Sequence, residues 1–317
     1  MDIIDLDQTA QRLYVTDGVL LGLDVIDTSR NPAQYLKTIP VGSNPNGVVV
    51  AADIHKAFIG TDDSTLVVID VDPHSRHRDQ RIATVPIAGK GASDLVDYDP
   101  KDHRVFLTNP DDGWVTAFDS RSYRKVATIT GVGLVDQPRY DPADGMLYVS
   151  GAERNSVIKI DPRMNKVVAE APIPVTCEPH GLAIDPTTNL GLIGCSDKDE
   201  QRTLSWNFST GKMVRSFDQA GAGDQVVFDP VSRHFYFAAS SYSPAEVAIF
   251  QAGATITFLT GIPTSHKSKG VAYDETHHRI YTYDGKHREA GIWSFPDPLA
   301  GAVSKGGSPL PTSSGGR

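Results

Sequence analysis

Four features of the sequence predict an all-β fold built from repeated units. Short runs rich in Val, Ile, Phe and Tyr recur along the whole chain of 317 residues. Turns that contain Asp-Pro, Gly or Asn separate these runs, which is typical of strands joined by tight connections. Stretches with the apolar period of a helix do not occur. In addition, one segment recurs seven times, so we expect the fold to repeat one structural unit.

The recurring segment predicts the first two strands of each unit. Five copies align without gaps, and in four of them an Asp-Pro pair follows the first strand. Pro fixes the backbone φ angle and Asp can accept hydrogen bonds from the following backbone, so we assign these pairs a structural role in the turn. The seven copies occupy residues 2–17, 44–61, 92–109, 134–151, 178–195, 222–239 and 267–284.

Two further strands follow in most copies. The third strand is an apolar run such as "TLVVID" (65–70), "WVTAFD" (114–119) or "SVIKID" (156–161). The fourth is a run such as "YLKTIPVG" (35–42) or "RIATVPIAG" (81–89). Seven copies of about 44 residues, each with four strands, predict a seven-bladed β-propeller of four-stranded antiparallel blades. We assign residues 1–300 to the propeller and residues 301–317 to a weak last strand and a flexible C-terminal tail.

The repeats resemble those of the YVTN β-propeller family. The resemblance is carried by strands such as "LYVTD", "MLYVSG" and "VVID" and by "IPVG" at the end of a blade, and it covers roughly residues 2–297. It implies the propeller fold and no defined activity. More distantly, the chain is similar to streptogramin lyase and to lactonase-type propellers, which are enzymes. The Trp-Asp signature of WD repeats is missing, which disfavours that class.

The two ends of the chain predict how the propeller closes. Residues 1–16 supply the first two strands of the first blade, and "GIWSFPD" (291–297) supplies the third strand of the seventh. The only candidate for the fourth strand of that blade is "GAVSKGG" (301–307), whose composition is poor for a strand. We expect either weak pairing there or a missing strand upstream of Met1.

The first strand of each propeller blade lines the central channel, and its first residue lies at the channel mouth. Alignment on the Asp-Pro column places one polar residue of each copy at this position. We call these seven residues the mouth ring: Asp2, Asn46, Asp94, Asp136, His180, Asp224 and Lys269.

The charges of the mouth ring leave several interpretations open. Four carboxylates and one Lys give a formal charge of −3 with His180 neutral, and such crowding raises carboxylate pKa values or recruits a cation. His180 lies between Asp136 and Asp224 in blade order, so it is either a charged partner of these carboxylates or a metal ligand beside them. A divalent cation (Ca, Mg, Mn or Zn) bound by His180, Asp136 and Asp224 is one hypothesis. Solvation of a water-filled channel is the plain alternative.

Two other groups of residues lie near the predicted mouth. Acidic residues follow the second strands, at Asp17, Asp62, Asp63, Asp111, Asp112, Glu153, Asp197 and Glu200, and we interpret them as solvated loop charge. Cys195 ends a second strand close to His180. We expect it to be a buried, unreactive thiol, with a metal ligand or a bridge to Cys177 as the alternatives.

The composition and net charge of the chain limit the classes of partner that we expect it to bind. A net charge of −9 argues against nucleic-acid binding, and the sequence has no apolar run of 18 residues that would cross a membrane. Met1 is followed by "DIIDLDQ" without an export signal, which predicts a cytoplasmic protein, or a periplasmic or secreted one if a signal has been removed. No nucleotide-binding or nucleophile motif is present. Nothing in the sequence points to a particular oligomeric state.

The sequence therefore predicts a propeller that binds a small polar or cationic ligand, or a metal ion, at the acidic mouth of its channel. Asp2, Asn46 and Asp94 are the predicted ligand-binding residues. The first alternative is a lyase or lactonase-type hydrolase in which His180 is the general acid or base, Asp136 and Asp224 tune it, and Lys269 stabilises negative charge. The second alternative is a protein-interaction scaffold, which an exposed apolar patch on the loop face would favour.

Overall fold

The structure, a computed structural model, describes residues 1–286 and 291–300. These residues form seven antiparallel sheets, six of four strands and one of three, in which strands follow one another in chain order. A 3-10 turn at Ala52–Ile54 is the only helical element among them. The structure thus confirms the all-β, seven-bladed propeller.

The strands of the first four blades have the following bounds. The first blade contains β1 (Ile4–Asp7), β2 (Arg12–Asp17), β3 (Gly22–Asp27) and β4 (Gln34–Pro40), and the second contains β5 (Pro45–Ala51), β6 (Lys56–Thr61), β7 (Thr65–Asp70) and β8 (Gln80–Pro86). The third contains β9 (Val96–Asp99), β10 (Arg104–Asn109), β11 (Trp114–Asp119) and β12 (Lys125–Thr130), and the fourth contains β13 (Pro138–Asp141), β14 (Met146–Gly151), β15 (Ser156–Asp161) and β16 (Lys166–Pro172).

The last three blades complete the ring. The fifth contains β17 (Pro179–Asp185), β18 (Leu190–Cys195), β19 (Thr203–Asn207) and β20 (Lys212–Phe217), and the sixth contains β21 (Val226–Asp229), β22 (His234–Ala239), β23 (Glu246–Gln251) and β24 (Thr257–Pro263). The seventh contains β25 (Ala272–Asp274), β26 (Arg279–Tyr283) and β27 (Ile292–Pro296). The predicted fourth strand of this blade, residues 301–307, lies outside the described residues.

The hydrophobic core lies between neighbouring blades. Tyr14 and Val25 of the first blade pack with Ile59 and Val67 of the second, and equivalent clusters join the other pairs. Second strands are buried on both sides, whereas fourth strands such as β4 are mostly exposed. Apolar runs in the inner strands and alternating runs in the outer ones follow from this difference in burial.

The Asp that ends the first strand of a blade holds the turn that follows. Oδ1 of Asp99 accepts hydrogen bonds from the backbone of Lys101 and Asp102 at 2.8 and 3.2 Å. Asp141 and Asp185 bond the second residue after them in the same way. These carboxylates are structural, as predicted, which leaves the mouth ring as the chemically distinctive set of inner-strand residues.

Glutamine side chains join the first blade to the seventh and the sixth. Oε1 of Gln225 accepts hydrogen bonds from Val271 N (3.0 Å) and Ile4 N (3.4 Å), and its Nε2 donates to Ile4 O at 2.8 Å. Nε2 of Gln8 donates to Tyr273 O at 2.6 Å. The ring of blades is therefore closed by side-chain bonds in addition to the apolar contact between the first and seventh blades.

Candidate functional site

The repeat register places the mouth ring at one end of the channel. The backbone N–H of Asp2, Asp94, Asp136 and Asp224 each donates to the carbonyl of the residue 14 positions later, at 2.9 to 3.2 Å. Because this bond recurs at the same place in four blades, the four carboxylates start from the same depth in the channel. The backbone N–H of Lys269 also reaches the residue 14 positions later, bonding the hydroxyl of Tyr283 at 3.0 Å.

His180 occupies an irregularity of its strand pair. Strands β17 and β18 pair at Pro179 with Cys195 and again at Leu182 with Ile193, so the register shifts across His180 and Gly181. Asn46 lies in the same kind of irregularity in the second blade, between Pro45 and Val48. Irregularities of this kind bend a strand and redirect its side chains locally.

Glycine follows three members of the mouth ring, and the packing requires it. A Cβ atom on Gly181 would lie 1.9 Å from the carbonyl oxygen of Asp224, and one on Gly47 would lie 2.6 Å from that of Asp94. Gly270 faces the carbonyl of Asp2 in the same way, at 2.7 Å. Each glycine lets the ring residue of the next blade approach closely, so the ring is compact.

Six of the seven ring residues line one cavity of about 210 Å³, here called the mouth cavity. The exception is Asn46. Its Nδ2 donates to Oδ1 of Asp62 at 2.8 Å and to the carbonyl of Ser93 at 2.9 Å. The amide of Asn46 is thus hydrogen-bonded to neighbouring segments, and Asn46 does not line the cavity.

His180 is held between two carboxylates, as the blade order predicts. Its Nδ1 lies 3.0 Å from Oδ2 of Asp136 and 3.6 Å from Oδ1 of Asp224. These are ion-pair contacts, since Nδ1 has no hydrogen-bond partner of good geometry. Burial alone would lower the pKa of the imidazole, but Asp136 and Asp224 raise it to about 9. The imidazole of His180 is therefore a cation at neutral pH.

Lys269 is the second cation of the mouth. Its Nζ lies 3.7 Å from Oδ1 of Asp2 and 3.9 Å from Oδ1 of Asp224, and both carboxylates raise its pKa. Asp224 contacts both cations and accepts a hydrogen bond from Ser240 Oγ at 3.2 Å. These contacts lower the pKa of Asp224, although burial opposes this. Asp224 is consequently the anion that the two cations share.

For the other three carboxylates of the mouth cavity, nearby cations do not offset the effect of burial on the pKa. Burial raises the pKa of Asp2 to about 6 although Lys269 opposes this, and it raises that of Asp136 despite His180. The pKa of Asp94 lies well above its ordinary range because of burial and of its neighbours Asp136 and Asp2. Among the described residues, no hydrogen-bond donor or cation contacts the Asp94 carboxylate directly. Asp94 is partly exposed to the mouth cavity, so its carboxylate is accessible to a bound ligand.

A larger cavity opens outside the mouth. This outer funnel has a volume of about 550 Å³ and shares His180, Asp224 and Lys269 with the mouth cavity. Loops of the fifth and sixth blades supply the rest of its lining: Glu178, Ser196, Asp197, Lys198, Asp199, Ala222, Gly223 and Ser241. Asp197, for which the sequence predicts only solvated loop charge, accepts hydrogen bonds from Asp199 N and Glu200 N and so fixes this loop.

A disulfide supports the same region. Cys177 and Cys195 are bonded to each other and fully buried, so the expectation of a free thiol at Cys195 is wrong and the bridge, named as an alternative, is present. The reason is the pairing of Pro179 with Cys195, which places Cys177, two residues before Pro179, beside Cys195 with a Cα–Cα distance of 4.5 Å. The carbonyls of Cys177 and Cys195 also accept hydrogen bonds from Asp197 and Gly223 of the funnel.

A second charged layer, which the sequence analysis did not predict, lies deeper in the channel. Arg139 reaches across the channel, donating to Oδ1 of Asp97 at 3.0 Å and to the carbonyls of Leu182 and Val226. Burial raises the pKa of nearby Asp5 to about 6, although Arg139 opposes this. Asp5, Asp97 and Arg139 each follow a ring residue by three positions, a regularity that the sequence alignment contains.

The described residues include no group of three or more His, Cys, Asp and Glu side chains arranged to hold a metal ion. The described part of the chain also contains no helix with the length and apolar character needed to span a membrane.

Comparisons with known proteins identify the fold. The chain is similar to a chain in the crystal structure of the mitotic checkpoint complex, with a TM-score of 0.74, 15% identity, and coverage of 94% of this chain and 90% of that one. It is also similar to a chain of Kuenenia stuttgartiensis hydrazine synthase, with a TM-score of 0.76, 12% identity, and coverage of 92% and 94%. No protein-family model and no curated protein matches the sequence.

Proposed function

We propose that this propeller binds a small organic cation at the mouth of its channel. The observation that carries the proposal is Asp94, a carboxylate that lines the mouth cavity together with Asp2 and Asp136 and has no direct cationic partner among the described residues. A bound ammonium group would supply the missing charge and hydrogen bonds. We also propose that the repeats are related to the YVTN family. This relation is a proposal because the comparisons support only the propeller fold.

The charge state of His180 argues against one form of the enzymatic alternative, in which His180 acts as a general base. A general base must be neutral before it accepts a proton, whereas the contacts of His180 with Asp136 and Asp224 hold it protonated. The same charge disfavours His180 as a metal ligand. We therefore propose an ammonium-type cation, and not a metal ion, as the ligand of the mouth. His180 and Lys269 then limit the charge that the carboxylates accumulate when no ligand is bound.

The test is a calorimetric titration of the protein with n-butylammonium at pH 8 and low ionic strength. We expect Asp94→Asn to weaken binding by about tenfold to a hundredfold, since hydrogen bonds to charged groups contribute on the order of 1.5–3 kcal/mol. Asp111→Asn is the matched control: Asp111 is an exposed carboxylate on the same face and in the same blade. Absence of binding to the unmodified protein, or equal loss in both variants, would refute the proposal.

A second candidate function is a protein-interaction scaffold. The turn between β2 and β3 exposes three consecutive apolar side chains on the mouth face, with Val19, Leu20 and Leu21 exposed by 87, 59 and 44%. Consecutive exposed apolar residues are uncommon without a partner. Replacing Val19 and Leu20 with Ser should abolish binding of a protein partner and leave n-butylammonium binding unchanged, which separates the two functions.

A further inference from the structure

The mouth cavity and the outer funnel, here called the inner and outer chambers, share three lining residues, which we call the neck. The neck consists of His180, Asp224 and Lys269, which line both chambers. The inner chamber has a volume of about 210 Å³ and the outer one of about 550 Å³, so each has room for an ammonium group.

Charge alternates along this path. Asp2, Asp94 and Asp136 line only the inner chamber, which gains no cation of its own. The neck carries two cations and one carboxylate. The side chains that line only the funnel include three carboxylates and one Lys: Glu178, Asp197, Asp199 and Lys198. With His180 protonated, the order from the inside outwards is negative, positive, negative.

Hydrogen-bonding capacity at the neck is also unspent. Nζ of Lys269 is 3.7 Å or more from its carboxylate partners, so it keeps donor capacity for a bound group. The two neck cations would repel a third positive charge placed between them. They would tolerate an uncharged segment or one that accepts hydrogen bonds.

We infer that the mouth binds a linear organic dication, with one ammonium group in the inner chamber, the other in the funnel, and an uncharged chain through the neck. The inference rests on the proposed function and adds to it the class of ligand. A zwitterion is the main competitor, because it would put an anionic group beside His180 and Lys269. A zwitterion would add no net positive charge to the two chambers, whose linings together contain seven carboxyl groups and three cationic side chains.

The experiment compares three probes of matched length by calorimetry at pH 8: butane-1,4-diammonium, its mono-N-acetyl derivative and 4-aminobutanoate. The acetylated probe keeps the chain and one charge, so its comparison with the diammonium isolates the second ammonium group. We expect the diammonium to bind about fivefold more tightly or better, as partly exposed ion pairs contribute up to about 1 kcal/mol each. We expect the zwitterion to bind most weakly.

Two variants assign the chambers. Glu178→Gln combined with Asp199→Asn should remove the advantage of the diammonium and leave the acetylated probe unaffected, because both residues are exposed in the funnel. Asp94→Asn should weaken both probes, and Asp111→Asn neither. Equal affinity of the two amines, or tighter binding of the zwitterion, would overturn the dication while leaving the proposed function in place. Failure of every amine to bind would refute both.

Discussion

Nδ1 of His180 lies 3.0 Å from Oδ2 of Asp136, across the boundary between the fifth and fourth blades. The pair joins a cation to one of the carboxylates of the mouth cavity, and with Asp224 it sets the pKa of His180. The electrostatics of the mouth therefore depend on residues from neighbouring blades and on how closely the blades pack.

Asp136→Asn should lower the pKa of His180 from about 9 towards the ordinary value of about 6.5, because it removes the nearer negative charge. NMR titration of the imidazole measures this shift directly. Asp111→Asn should leave the titration unchanged. A midpoint near 6.5 in the unmodified protein would show that the ion pair does not control His180.

The same pKa predicts how stability depends on pH. A raised pKa in the folded chain stabilises it fully below about pH 6.5, and this contribution is lost as the pH rises through about 9. The difference in unfolding free energy between the unmodified protein and His180→Gln should therefore shrink from pH 6 to pH 10. Urea unfolding at both pH values checks this, and a constant difference would contradict it.

Gly181→Ala should destabilise the protein by about 1–3 kcal/mol and weaken cation binding, because the new Cβ meets the backbone carbonyl of Asp224, which cannot easily move. Gly291→Ala is the control, since no atom of the described residues lies within 4 Å of a Cβ at that position. Urea unfolding and n-butylammonium titration measure the two effects. Equal behaviour of both variants would show that the ring does not require the close approach.

Gln225→Ala should destabilise the protein by about 2–4 kcal/mol, since it leaves the backbone of Ile4 and Val271 without partners in a buried setting. Hydrogen exchange of the first and seventh blades should increase more than that of the third and fourth. Gln34→Ala, at an exposed position on β4, is the matched control. Uniform exchange across all blades would argue against a special role in closure.

Replacing Cys177 and Cys195 together with Ser should lower the unfolding free energy by about 3 kcal/mol, the value typical of a loop of this length. The pKa of His180 should fall as well, because the irregularity that carries His180 loses its support. The control is the unmodified protein measured with and without reductant. Loss of stability with an unchanged His180 titration would limit the disulfide to a general stabilising role.

The repeats determine much of this fold in a way that sequence can reveal. The Asp that ends six of the seven first strands fixes the register, so the positions of Asp2, Asp94, Asp136 and Asp224 at the mouth follow from counting residues. The same count places Asp97 and Arg139 three residues beyond ring positions, so the deeper charged layer is also predictable from the repeat.

Other features depend on contacts between distant segments. Asn46 turns away from the cavity because Asp62 and Ser93 offer it hydrogen bonds, and neither partner is in its own strand. The strand irregularities at His180 and Asn46 share a local Pro-X-Gly pattern, but the pairing of Cys177 with Cys195 does not follow from that pattern. The polarity pattern of the funnel depends on which loops of the fifth and sixth blades meet, and strand patterns do not predict that.

The most direct test of the cation site is a crystal structure with 4-bromobenzylammonium, in which anomalous scattering locates the bromine. We expect a bromine peak in the outer funnel, with the ammonium group inside the neck among Asp2, Asp94 and Asp136, and no such peak in crystals of Asp94→Asn. A mouth that stays empty at saturating concentration, or a bromine peak only elsewhere on the protein, would contradict cation binding at the channel mouth.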